Sequence, residues 1–260
     1  MKHLHELAGA HSSRVQLVDI DGVKWVLKTA NPVEIVNEHL FFEVAKAHGM
    51  PVLTVLDAPD LAANQILLSY IDGSPTVGDN LSQETCRAWG AAAGALHRIS
   101  HTTAAVLTLH GLESVQWKHF VQGQMAEATL RAKEKRSDLP IGQIQTALQE
   151  LEEHVPTRYG LLHGDMHSNN ALVDHDRVIL FDKASDIFYG DPLFDLALVM
   201  IELFGEPELL RAFCEGYGSD FVHEGGKVLN HYILLRAYSR HPNPFEPQIP
   251  QVVAQILETM

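Results

Sequence analysis

The chain has 260 residues, 46% of them hydrophobic, with 19 Lys and Arg against 33 Asp and Glu for a formal charge of −14. That composition excludes a disordered chain, supports one large domain or two closely joined lobes, and argues against a broad surface for nucleic acid or anionic membrane. Cys86 and Cys214 are too few and too far apart for a disulfide framework.

The opening MKHLHELAGA lacks the apolar run of an export signal, and the greasiest stretch, LFDLALVMIELF, carries Asp195 and Glu202. The expectation is a cytoplasmic protein without a membrane span, monomeric or homodimeric. An acidic cleft for a cationic small molecule fits the charge, as does the plainer reading that many soluble proteins are acidic.

Residues 14–28, RVQLVDIDGVKWVLK, alternate apolar and polar on both sides of Asp21-Gly22, which predicts two antiparallel strands joined by a tight turn. Asn31 and Pro32 then supply an N-cap and first helical residue. Val33, Val36, Leu40, Phe41 and Val44 follow at helical spacing until Gly49 and Pro51 stop the helix. QILLSYIDG, residues 65–73, reads as a buried strand ending in a turn.

The composition then becomes helical, over 86–99, 117–136 and 141–154, with Pro140 and Pro156 as punctuation. Within this part lies one β island, ALVDHDRVILFD, with two apolar runs around 174–177. HGDMHSNN, residues 163–170, immediately precedes it and is a loop held by strands. A helix from Leu193 to about Phe204 and further helices complete the chain.

Phosphoryl transfer needs a lysine on the phosphates, metal ligands, an acceptor for the hydroxyl proton and a cover for the nucleotide. Asp165 and Asn170 stand five apart in H-G-D-x-x-x-x-N, the spacing of the catalytic loop in protein kinases. An Asp there deprotonates the attacking hydroxyl, and an Asn carbonyl oxygen is a hard ligand suited to Mg²⁺. Asp182 follows twelve residues after Asn170, where a hairpin can return a second carboxylate.

Lys28 ends a strand, where a lone lysine is usually a solvated edge residue. Glu34 and Glu38, however, lie one turn apart, a like-charge pair costing roughly 0.2–0.5 kcal/mol in an isolated helix. Lys28 is the obvious outside partner, for Glu38. The stretch from Gly9 to Ser13, with Ser12 and Ser13, can turn its backbone N–H groups and hydroxyls to a phosphate, although it has a single glycine. Ser69 to Ile71 could offer backbone groups to adenine or be a plain linker between lobes.

HGDMHSNNALV, then ILFD, then YGDPLFDLA resemble the aminoglycoside phosphotransferase and choline kinase superfamily, with VLK, NEHLFFEVAKAHGMPV, LLSYIDG and ALHRI agreeing upstream, over about residues 7–205. The resemblance implies an α+β, bilobal, protein-kinase-like fold. Its β-rich nucleotide-binding lobe (1–72) has one long helix; its α-rich catalytic and substrate-binding lobe (73–260) has a small catalytic β-hairpin. It implies ATP or GTP as donor, Mg²⁺, and a small-molecule hydroxyl as acceptor.

Carried over, the resemblance makes Asp165 the catalytic base, Asn170 and Asp182 the Mg²⁺ ligands, Lys28 a phosphate contact, Glu38 its partner, and Asp195 a structural brace. Lys183 departs from the family, which usually has an aromatic or apolar residue there. A cation turned toward a metal would be repelled by about 4 kcal/mol at 4 Å and an effective dielectric of 20. Lys183 is therefore expected to turn away, toward Asp186.

A zinc hydrolase built on His163 and His167 would need a further ligand cluster, and none stands out among the 16 histidines. A kinase-like binding module without chemistry would be expected to lack one of Lys28, Asp165, Asn170 or Asp182. For the acceptor, a cationic antibiotic of aminoglycoside type is favoured over choline, ethanolamine, homoserine or a sugar, with Asp186, Glu202, Glu206 and Asp220 as candidate contacts.

Overall fold

The computed structural model describes residues 1–7, 13–72, 74–108, 110–135, 141–183, 187–239 and 247–259. Strands β1 (Lys2–Leu7), β2 (Arg14–Ile20) and β3 (Val23–Thr29), helix α1 (Pro32–Ala47) and strand β4 (Gln65–Ser69) come first. The four strands form one antiparallel sheet in sequence order. The β2–β3 hairpin closes at the Ile20–Val23 pair, with Asp21 and Gly22 at φ 55° and 83°. Both are left-handed, as a two-residue turn matching strand twist requires.

Strand β1 was not foreseen. KHLHEL is exposed along nearly its whole length, so no burial pattern marks it, and it joins β2 through its backbone with a bulge between His3 and His5.

Helix α1 begins as expected: the Asn31 side chain accepts the Glu34 N–H at 2.9 Å, and Pro32 occupies the first turn. It buries Ile35, Phe41, Phe42 and Ala45 together with two polar residues, Asn37 and Glu38. A polar residue fully inside an apolar face needs a partner, and for Glu38 that partner lies in the site.

Helix α2 (Gln83–Arg98) starts earlier than composition suggests, because Ser82 and Thr85 satisfy each other's backbone N–H groups in a capping box. Strands β5 (Ser100–His101), β6 (Ala105–Thr108) and β7 (Gly111–Ser114) follow, then helices α3 (Trp117–Lys135) and α4 (Ile141–Glu152). Strand β8 (Tyr159–Leu161) leads into the loop, followed by β9 (Ala171–Asp174), β10 (Arg177–Leu180) and β11 (Ile187–Gly190). Helices α5 (Leu193–Glu202), α6 (Pro207–Tyr217), α7 (Phe221–Ser239) and α8 (Ile249–Thr259) close the chain.

The β9–β10 hairpin is the expected island, but a second sheet in the order β5-β8-β11-β6-β7 corrects the largely helical reading of this half. Its strands are two to four residues long, too short for an alternation to be read. Helices α2 and α6 cross closely: a Cβ on Gly90 would lie 2.1 Å from the Phe213 carbonyl oxygen, and one on Gly216 1.9 Å from that of Arg87.

The segment after β4 docks on the β9–β10 hairpin. Val77 N–H donates to the Ala171 carbonyl at 2.8 Å and Val173 N–H to that of Pro75 at 2.9 Å. Among the described residues no helix is long and apolar enough to cross a membrane.

Candidate active site

The loop from His163 to Asn170 enters from β8, ends in a 3₁₀ turn over Ser168–Asn170 and passes directly into β9. Gly164, at φ 80°, makes the bend that L side chains resist. From α5 below, Asp195 accepts the N–H groups of His163 at 2.7 Å and Gly164 at 2.8 Å, while His97 of α2 stands 3.2 Å from the same carboxylate. Burial alone would raise the Asp195 carboxyl; the His97 contact and the His163 N–H hold it below the usual carboxylate range.

His163 is fully buried and both ring nitrogens are committed. Nε2–H donates to the Phe181 carbonyl at 2.7 Å, and Nδ1 accepts the Asp165 N–H at 3.3 Å. Burial pulls its pKa below the ordinary histidine value, so the ring is neutral, as that donor–acceptor pattern demands. His167 accepts the Asn169 N–H on Nδ1 at 3.3 Å and places Nε2 3.5 Å from Asp165 Oδ2. Among the described residues no three His, Cys, Asp or Glu side chains form a metal-binding group, which leaves the zinc reading without its ligands.

Asn170 Nδ2 donates to both the Asp165 backbone carbonyl and Asp165 Oδ2, each at 3.1 Å. Two acceptors on one side fix which amide atom is nitrogen, so Asn170 Oδ1 faces the other way. Asp165 is thereby held by the residue five positions on.

Lys28, at the end of β3, places Nζ 2.7 Å from Glu38 Oε2 and 2.5 Å from Asp182 Oδ1. Glu38 Oε1 also accepts the Asp182 N–H at 3.2 Å. Burial works to discharge the Lys28 ammonium, but the two carboxylates outweigh it and raise its pKa above the ordinary value. Burial likewise pushes the Glu38 carboxyl up against the pull of Lys28, so Lys28 is the member whose charge is secure. Glu34 is not part of this cluster; it accepts from Asn31 Nδ2 at 2.6 Å. Asp182 adopts φ 59°, a left-handed conformation that aims its side chain back at Lys28.

Lys183 turns away from that cluster, donating to the Ile187 carbonyl at 2.7 Å and lying 5.4 Å over the Phe188 ring. Its expected partner Asp186 lies outside the described residues, as does Ser12. Ser13 is half-buried just before β2. The Ser69 N–H is taken by the Thr54 carbonyl at 2.8 Å, so this group is unavailable to a base, and Ile71 follows half-buried. Glu202, a guessed substrate contact, instead accepts the Ser168 N–H at 3.0 Å and bonds the Ser168 hydroxyl.

Mg²⁺ prefers oxygen donors and is commonly held by one or two protein carboxyl or amide groups plus substrate phosphates. Asn170 Oδ1 and the second oxygen of Asp182 supply such donors, so the residues present fit that ion.

Lys28 and Glu38, from the first sheet and helix, meet Asp182 at the end of the hairpin that follows the Asp165 loop, in a chain with the fold of a kinase-like phosphotransferase. The chain belongs to the APH phosphotransferase enzyme family, whose sequence profile matches residues 3–229.

Among solved structures it is similar to a thermostable mutant of the aminoglycoside phosphotransferase APH(4)-Ia, with 18% identity and a TM-score of 0.68 over 99% of this chain and 92% of that one. The choline kinase LicA from Streptococcus pneumoniae matches with 14% identity and a TM-score of 0.67 over 100% and 95%. A spectinomycin phosphotransferase, APH(9)-Ia, matches with 14% identity and a TM-score of 0.61 over 98% and 91%. No curated protein matches the chain in sequence.

Proposed function

We propose that the chain transfers the terminal phosphoryl group of ATP or GTP to a hydroxyl of a small cationic molecule of aminoglycoside type. The nucleotide would lie between an N-terminal lobe, 1–72, and a C-terminal lobe, 73–260. The observation that carries this reading is the fixed neighbourhood of Asp165 and Asn170, on a loop whose next strands return Asp182 to Lys28. ADP and hygromycin B are bound together in one structural neighbour, and AMP-PNP and hygromycin B in another, which supports a nucleotide donor.

In this reading Asp165 accepts the proton of the attacking hydroxyl, its carboxylate aimed by Asn170. Lys28, kept charged by Glu38, contacts the phosphates. Asn170 and Asp182 would hold Mg²⁺, which supplies charge neutralisation at the phosphates when bound. The reading assigns Ser12 and Ser13 to the phosphates and Ser69 and Ile71 to the base, leaving out the Ser69 N–H, which Thr54 holds. Catalysis is then mostly positioning and electrostatic stabilisation.

The formal charge of −14 favours a cationic acceptor. The likeness to a choline kinase supports a second reading, in which the acceptor is a metabolic amino alcohol. A screen with labelled ATP over aminoglycosides, other antibiotics and amino alcohols separates the two. Label on aminoglycosides is the expected outcome, and label on amino alcohols alone overturns it. Asp165→Ala should lose roughly 10²–10⁴-fold in transfer while still binding nucleotide; turnover at the wild-type rate would remove Asp165 from its role.

A further inference from the structure

Arg236 lies on α7, beyond the residues the family profile matches, and no motif draws attention to it. It is buried, stacks 4.2 Å over the Phe194 ring, and donates from Nη2 to the Gly164 carbonyl at 2.8 Å. Bringing a guanidinium out of water costs several kcal/mol unless geometry and hydrogen bonds offset it. At this depth the guanidinium grips the backbone at the Gly164 bend of the His163–Asn170 loop.

The carbonyl it holds belongs to the peptide joining Gly164 to Asp165. The N–H of that same peptide donates to His163 Nδ1 at 3.3 Å, and His163 Nε2–H donates to the Phe181 carbonyl at 2.7 Å. The N–H of the same Phe181–Asp182 peptide in turn donates to Glu38 Oε1 at 3.2 Å, while the N–H of Phe181 itself donates to the Asn170 carbonyl at 3.0 Å. A hydrogen-bonded relay thus runs from Arg236 through the peptide bearing Asp165 and through His163 to the peptide bearing Asp182, and closes on Glu38, with Phe181 tied on its other side to Asn170. Each bond in such a chain polarises the next in the same sense. Asp195 fixes the other side of the bend, on the Gly164 N–H at 2.8 Å, so a buried anion and a buried cation grip Gly164 from two helices.

We propose that Arg236 is a positioning residue for the transfer reaction, setting the separation of Asp165 from Asn170 and Asp182 through the Gly164–Asp165 peptide and His163. The proposal rests on the phosphotransfer reading above for its effect on rate, while the relay itself is readable without any substrate.

The test uses Arg236→Met, which keeps length and removes the donors, and Arg236→Lys, which keeps charge with a different donor geometry. In full-length protein, ¹⁵N spectra of labelled histidine report the two ring nitrogens of His163 in the absence of substrate. Steady-state kinetics with the acceptor found in the screen report kcat and the nucleotide KM.

In folded Arg236→Met the His163 nitrogen resonances should move. The value of kcat should fall roughly 10- to 100-fold, as expected for a displacement on the order of 1 Å in reacting groups. The nucleotide KM should stay within about threefold, because ground-state contacts persist. Either resonances or kcat at wild-type values in the folded variant overturns the proposal. If Arg236→Met does not fold, Arg236→Lys is judged by the same two readouts. If the wild type phosphorylates no acceptor, the functional reading fails by itself, and the resonances alone decide whether the relay exists.

Discussion

Lys28 and Asp182 stand 154 positions apart in the chain and are joined by an ion pair of 2.5 Å. Glu38 fastens both, one oxygen on the Lys28 ammonium and the other on the Asp182 backbone N–H. The three residues therefore tie the first sheet and α1 to the end of the β9–β10 hairpin. In the proposed reaction, the phosphates enter against a lysine already bound to two carboxylates.

Removing one partner of that cluster should cost more than removing the cluster's charges together. Lys28→Met leaves the Glu38 carboxylate, only 1% exposed, without its cation, a loss of about 3–5 kcal/mol for a buried pair. Lys28→Met with Glu38→Gln should recover part of that, because the fully buried charge is gone and the Asp182 carboxylate, which also loses Lys28, is 23% exposed to water. Chemical denaturation of the single and double variants measures the difference. A Lys28→Met protein with the wild-type midpoint would show that the pair contributes nothing to folding.

Stability should fall on mild acidification, and His163 should account for part of it. Its folded pKa lies below the ordinary 6.5, chiefly through burial and also through Lys183, while Asp195 and Asp165 oppose that shift. Between the folded value and 6.5 the unfolded chain binds more protons, so stability rises with pH and its full contribution is present above 6.5. His163→Gln can keep one donor and one acceptor without titrating there. Its melting temperature should depend less on pH from 7 down to about 5 than that of the wild type. Equal slopes for the two proteins would remove His163 from the pH response.

The parts of this structure that were legible in sequence are those where a backbone need restricts residue choice. Asp21-Gly22 announces a positive-φ turn, Asn31-Pro32 a helix start, and the spacing of Asp165 and Asn170 a loop that brings the two side chains together. Lys28 with Glu38 was legible because a like-charge helix pair asks for an outside cation.

What stayed hidden depends on backbone groups, which every residue carries. Strand β1 is held by its main chain; the Ser69 N–H is claimed by Thr54; and Arg236 answers a carbonyl. Glu202 is one of the candidate acceptor contacts in the sequence, yet it holds the turn that carries Asn170. No spacing rule links Ser168 to a residue 34 positions away.

Two glycines in helices should respond to alanine with opposite signs. At Gly90 of α2 the added Cβ would stand 2.1 Å from the Phe213 carbonyl oxygen, a backbone atom that only a shift of α6 can move. Gly90→Ala should therefore destabilise by about 1–3 kcal/mol or more. Gly123 of α3 is exposed with nothing within 4 Å of the new atom, and Gly123→Ala should gain about 0.5–1 kcal/mol from helix propensity. Thermal melts of both variants check the signs, and a stable Gly90→Ala protein would contradict the close crossing of α2 and α6.

Ser168 and Glu202 give the remaining prediction. Glu202 is the last residue of α5, where the helix dipole disfavours an anion, and it sits there against the Ser168 N–H and hydroxyl. The turn it holds continues into Asn170, whose N–H donates to the His167 carbonyl at 3.0 Å and whose amide aims Asp165. Ser168→Ala deletes the hydroxyl bond to a charged acceptor and should destabilise by about 1.5–3 kcal/mol. Because the loosened turn carries Asn170, kcat should fall while the protein stays folded. The same variant with full stability and unchanged kcat would mean that Glu202 holds the turn through the Ser168 N–H alone.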